Sequence, residues 1–165
     1  MMGETIGFLF RNLPAVLLVA ALVAVPRRGP ASGAERLLAW ILLLPIGITG
    51  LWAGVSHVFF PAVAAAHIGW ETSPFQFEVG MADLAIGVTA CLSFWRDLSF
   101  KAAAISAASV FLLCDAIGHV HQMMVAGNFA PGNAGLPFYM DIICPVLSIC
   151  LLAIVTRQRE LNTKP

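Results

Sequence analysis

The run LLCDAIGHVHQMM, residues 112–124, sets an aspartate, two histidines and a glutamine inside a stretch apolar enough to cross a membrane. An ionisable group in hydrocarbon costs about 3 kcal/mol or more unless it is paired, neutralised or solvated, so such residues mark functional sites. Asp115, His119 and Gln122 are spaced by four and then three and share one face of a helix, while His121 points to another. Imidazole and carboxylate together can ligate a transition metal or pass a proton, and either task needs partners from elsewhere in the chain. The candidates are His57, Glu78, Asp83 and Asp141, each in a different part of the apolar sequence. Glu78 and Asp83 are five apart, about 140° around a helix, so only one of them faces a common centre directly.

The elements that must position these groups are apolar segments at about 6–25, 37–60, 74–95, 101–126 and 137–156. Each approaches the ~20 residues that cross a bilayer core. The chain has 165 residues, 59% of them hydrophobic and only 11% charged, and a mean hydropathy of +0.88. Soluble domains carry about 25% charged residues. The expected fold class is therefore all-α: a polytopic bundle of five transmembrane helices, forming one domain over 1–165. A formal net charge of zero gives no electrostatic footprint for nucleic acid. Dinucleotide, P-loop and nucleophile-elbow motifs are absent from the sequence. Cys91, Cys114, Cys144 and Cys150 all fall in apolar runs without a CxxC spacing and read as small buried packing residues.

Basic residues set the orientation. Arg27, Arg28 and Arg36 fall in the first connection, Arg96 and Lys101 in the third, and Arg157, Arg159 and Lys164 in the tail; the second and fourth connections have none. The positive-inside rule then places the N-terminus outside and the C-terminus in the cytoplasm. Arg11, near the outer end of the first segment, is the exception, its stem long enough to reach the surface. Ser73-Pro74-Phe75-Gln76 has the form of a capping box, Gly127 can end the fourth helix and Pro137 can open the fifth. Gly47, Gly50 and Gly54 give the second helix a face that a neighbour can approach closely. His67 and Glu71 read as solvated residues of the second connection, and AGNFAPGNAG as turns of an uncharged cap.

With this topology His57, Glu78, Asp83, Asp115, His119, Gln122 and Asp141 all lie in the outer half of the bilayer, with nothing comparable in the inner half. Mixed imidazole and carboxylate groups suit iron, copper or zinc, with His57, Glu78, Asp115 and His119 as ligands. Asp83, Gln122 and Asp141 would then orient them or handle protons. A metal-dependent membrane oxidoreductase is one use of such a site. Bis-histidine haem fits less well, because it leaves the carboxylates unexplained. Two alternatives stay open: an outward-facing protonatable pocket that binds or transports a small molecule, and a structural subunit of a homo-oligomer or membrane complex.

The stretches SPFQFEVGMADLAIGV, CDAIGHVHQM and NFAPGNAG resemble small bacterial inner-membrane proteins of the DoxX-like type, over roughly residues 45–150. The resemblance implies a helical bundle in a bacterial cytoplasmic membrane; apart from it, the expected partners are the lipid bilayer and a small apolar ligand. It brings no activity or ligand set. The Asp-x-x-x-His spacing of Asp115 and His119 is similar to a ligand pair in membrane-bound copper monooxygenases, without the rest of their pattern.

Overall fold

Ser32 accepts a hydrogen bond from the Glu35 backbone N–H at 3.2 Å and so starts the first long helix, with Glu35 itself in the first turn where an acid suits the helix dipole. The computed structural model describes residues 8–25 and 31–163. Arg27, Arg28 and Lys164, on which part of the orientation rests, lie outside the described residues. The elements are α1 (Leu13–Ala24), α2 (Gly33–Phe59), α3 (Pro61–Ile68), α4 (Phe75–Ser93), α5 (Leu98–Ala126), α6 (Pro131–Ala134) and α7 (Leu136–Thr163). The described residues form no strand.

Four of these helices, α2, α4, α5 and α7 with its short lead-in α6, are long and apolar enough to cross a membrane. The expected fifth span is represented among the described residues by the 12-residue apolar α1. Residues such as Val88, Val110, Ile117 and Val125 face outward from the spans, the apolar exterior that lipid requires. Cys114 and Cys150 share that exterior, so only Cys144 fits the expectation of a buried packing cysteine, with Cys91 half-buried.

Helix ends follow the local chemistry. Asp97 caps α5 through the Phe100 N–H at 2.9 Å, and Gly127 closes it in the left-handed conformation at φ 61°. Gly69 closes α3 in the same way at φ 70°. The capping box expected at α4 does not form: no side chain caps this helix, and the Gln76 side chain is bonded across to His57 in α2 and to the Pro61 carbonyl at the start of α3.

Within α2, Leu42–Ile48 is wound as a π-helix around Pro45, whose missing N–H cannot serve the α register. Below this turn Leu38, Ile41 and Leu42 join Ala21, Ala104 and Ile105 in the buried core. Beyond it, α2 packs along α4 through glycine. A Cβ on Gly54 would stand 2.7 Å from the Gly80 carbonyl oxygen, and one on Gly87 would stand 2.6 Å from the Leu51 nitrogen. The close approach expected of the Gly50 and Gly54 face is thus realised backbone against backbone.

At one end of the bundle Arg159 Nη2 meets Glu35 Oε1 at 2.7 Å, tying the end of α7 to the start of α2. Lys101 is buried nearby, its Nζ donating to the Arg96 carbonyl. Arg36, Arg96, Lys101, Arg157 and Arg159 all belong to this basic end, where α2 and α5 begin and α4 and α7 end. The polar cavity lies toward the other.

Candidate ligand cavity

A cavity of about 890 Å³ opens between α1, α2, α3 and the facing parts of α4, α5 and α7. Asp83 from α4, Asp115 and His119 from α5, Asp141 from α7 and His57 from α2 line it. Five of the seven residues picked out in the sequence therefore converge. Glu78 is exposed and lies off the cavity wall; of the two acids on α4 it is Asp83 that faces the centre. Gln122 is half-buried outside the cavity and contributes its backbone carbonyl to the cap of α5, so the face shared with Asp115 and His119 reaches the site only through those two. His121 is exposed, as its helix position predicts.

His119 is held by groups the sequence reading treated as turns. Asn133, wholly buried in α6, accepts from Trp70 Nε1 at 2.8 Å and sits 2.8 Å from His119 Nδ1 through the same Oδ1. Its Nδ2 donates to the carbonyls of Asn128 at 2.8 Å and His119 at 3.3 Å. An indole N–H only donates and a carbonyl only accepts, so the amide has one possible orientation and His119 must carry its proton on Nδ1. The Nε2 edge is left facing Asp141 Oδ2 at 3.6 Å, too long for a hydrogen bond and within ion-pair range when the ring is protonated.

His57 is set in the opposite sense. Gln76 Nε2 donates to the Pro61 carbonyl at 2.8 Å and stands 3.2 Å from His57 Nδ1, so Nδ1 accepts and the proton sits on Nε2. One ring thus presents an N–H from its Nε2 and the other a lone pair or, once protonated, a charge.

The rim corrects the reading of the second connection. Residues 61–68 form α3, and His67 lines the cavity instead of standing in solvent. Burial and the positive charge of Arg11, which also lines the cavity, push the His67 imidazole below its usual range; a hydrogen bond to the Arg11 backbone opposes them. Asn128 donates to the carbonyls of Ile68 at 2.9 Å and Gly69 at 3.1 Å, and a Cβ on Gly132 would stand 2.6 Å from the His67 carbonyl oxygen. The two Gly-Asn pairs are therefore a latch holding α3 and α6 to the end of α5.

Thr49 is a further lining residue that the sequence did not single out. The hydroxyls of Ser56, Thr89 and Ser106 each donate to the carbonyl four residues back at 2.8, 2.8 and 2.9 Å. Thr49, just past the π-helical turn, makes no such bond and its buried hydroxyl has no partner. The wider turn displaces the carbonyl that Thr49 would otherwise reach.

Among the described residues, no three histidine, cysteine, aspartate or glutamate side chains stand close enough to hold a metal ion together.

The chain matches the family of unknown function DUF6790 over residues 7–161 and belongs to that family. No curated protein and no solved structure matches it.

Proposed function

We propose that this protein is an outward-facing, membrane-embedded binding module for a small organic molecule, with histidines and carboxylates that can exchange protons with the occupant. The observation that carries this reading is the large cavity lined by Asp83, Asp115, His119 and Asp141 from three helices. A pocket of this size suits a small molecule, and its few polar groups in an apolar wall are the usual pattern of such sites. Glu78, exposed and off the cavity wall, is the member of the expected ligand set His57, Glu78, Asp115 and His119 that does not reach the site, which favours this reading over that transition-metal centre.

The proposal includes a bacterial cytoplasmic membrane, α1 as part of a fifth span, and the basic end in the cytoplasm; kinship with DoxX-like proteins rests on the sequence stretches alone. Reporters fused after residue 98 and at the C-terminus should behave as cytoplasmic and one near residue 132 as external. In a variant lacking the native cysteines, Ser56→Cys and Ala64→Cys should react with a membrane-impermeant maleimide applied to the outer face of intact cells. Labelling from the cytoplasmic side alone would overturn the outward-facing pocket. Elemental analysis of protein extracted without chelator is the complementary test: a stoichiometric metal lost in His119→Ala would restore the metal centre in its place.

A further inference from the structure

We infer that the cavity takes an organic cation, an ammonium group on an apolar or aromatic body, with the ammonium among Asp83, Asp115 and Asp141. The inference rests on the binding reading above and names its ligand class.

Asp83 is 9% exposed and faces the cavity from the middle of the glycine seam. Among the described residues neither Asp83 nor Asp115 has a hydrogen-bond or ion-pair partner, and Asp141 has only His119. A buried carboxylate without a partner is costly, and three around one low-dielectric space repel one another, so protons or a cation must offset them. The carboxylates come from three helices and do not gather with a third donor around a point, which disfavours a bare metal ion. An ammonium group carried on a larger body can lie among separated carboxylates, and the volume leaves room for that body.

The remaining wall fits the rest of such a molecule. Trp52 lines the cavity and stacks on Phe10, their ring centroids 5.0 Å apart, and Phe111 lines it from α5. Aromatic faces beside carboxylates are the usual surroundings of bound ammonium groups. The unpartnered Thr49 hydroxyl adds one neutral hydrogen-bonding group. Arg11 is the opposing charge, and it lines the cavity from the α1 side beside His67, whereas the three aspartates come from α4, α5 and α7. His57, His119 and the Cys144 thiol are the other titratable groups on the wall, the two histidines held by hydrogen bonds in defined tautomers.

The test uses three water-soluble probes of one shape and different charge: 2-phenylethylamine, 2-phenylethanol and 3-phenylpropionate. Binding to the full chain in lipid nanodiscs is measured by calorimetry at neutral pH. The amine is expected to bind about tenfold more tightly than the alcohol, the margin of one charge-assisted hydrogen bond. Asp83→Asn combined with Asp115→Asn should remove that margin while the alcohol still binds; Asp115→Asn alone should narrow it if the double variant does not fold. Equal binding of amine and alcohol would overturn the cation and leave the pocket standing. Tightest binding of the propionate would overturn it in favour of Arg11 as the recognition group. If the folded wild-type protein binds none of the three, the binding reading itself fails and the ligand class with it.

Discussion

The two sides of α2 beyond its π-helical turn use one helix in opposite ways. Toward α4, Gly50 and Gly54 bring backbone against backbone, tightly at Gly50 and at Gly54 with no space for even a methyl group. On the other side, Ala53 and Ser56 line open volume. The difference teaches that the cavity depends on tight packing elsewhere. Small residues draw α2 and α4 together, and the side chains of Asn133, Asn128 and Trp70 fix α3 and α6 across the remaining gap.

Adjacent substitutions can break this contrast. Gly54→Leu should cost about 3 kcal/mol or more in a denaturation assay, because its first added carbon already overlaps the Gly80 carbonyl. Ala53→Leu, adding as many apolar carbons one residue earlier, should stay within about 1 kcal/mol while reducing ligand binding. Equal losses from the two would mean that the cavity side of α2 is as tightly packed as the seam.

An effect close to that of Gly54→Leu is expected at the latch. Asn133→Ala strands the Trp70 indole N–H and the Nδ1–H of His119, a loss of about 2 to 4 kcal/mol. Nitrogen-15 NMR of the imidazole rings should show His119 as the Nδ1–H tautomer and His57 as Nε2–H. Finding both rings in the same tautomer would refute the hydrogen-bond assignment on which the contrast between the two histidines stands.

The rim gives a titration. His67 should gain its proton at a lower pH than an ordinary imidazole, and Arg11→Gln should move that midpoint upward by removing a repelling charge. The sign follows from linkage: a depressed folded-state midpoint means that the unfolded chain binds the proton more tightly, so His67 favours the fold above its ordinary range and disfavours it as pH falls. An unchanged or lower midpoint in Arg11→Gln would show that the Arg11 charge does not repel the protonated ring. Smallest of all, His121→Gln should change stability by less than about 0.5 kcal/mol, since the ring is exposed on a different face of the helix from Asp115.

Much of this architecture was legible in the sequence, because hydropathy reports length and spacing reports faces. The apolar runs foretold α2, α4, α5 and α7, and the separation of Asp115 from His119 put both on the cavity wall. Spacing also showed that Glu78 and Asp83 could not both face inward, but a relative angle carries no absolute one. The glycine seam, with Gly80 and Gly87 on its α4 side, fixes that rotation, and it turns Asp83 to the cavity and Glu78 outward. Asn133, Gln76 and Trp70 were missed for another reason. Their roles depend on contacts between residues distant in sequence, and an asparagine straight after a glycine reads locally as a turn. The repeated Gly-Asn pair in an uncharged loop was the available signal.

The π-helical turn has a bearing on phase as well as on hydrogen bonding. It accommodates one residue more than an α-helix of the same rise, so everything after Ile48 is turned by about 100° relative to a continuous α-helix. Loss of a single residue between Leu42 and Ile48 would allow the α register to close, and α2 would then act as a misaligned key. Either Gly50 and Gly54 would rotate off α4, or the helix would have to be twisted against its own core beside Leu38 and Ile41. A length change in that stretch would therefore be compensated only by an opposite change there; the seven residues act as the vernier that sets which way His57 looks.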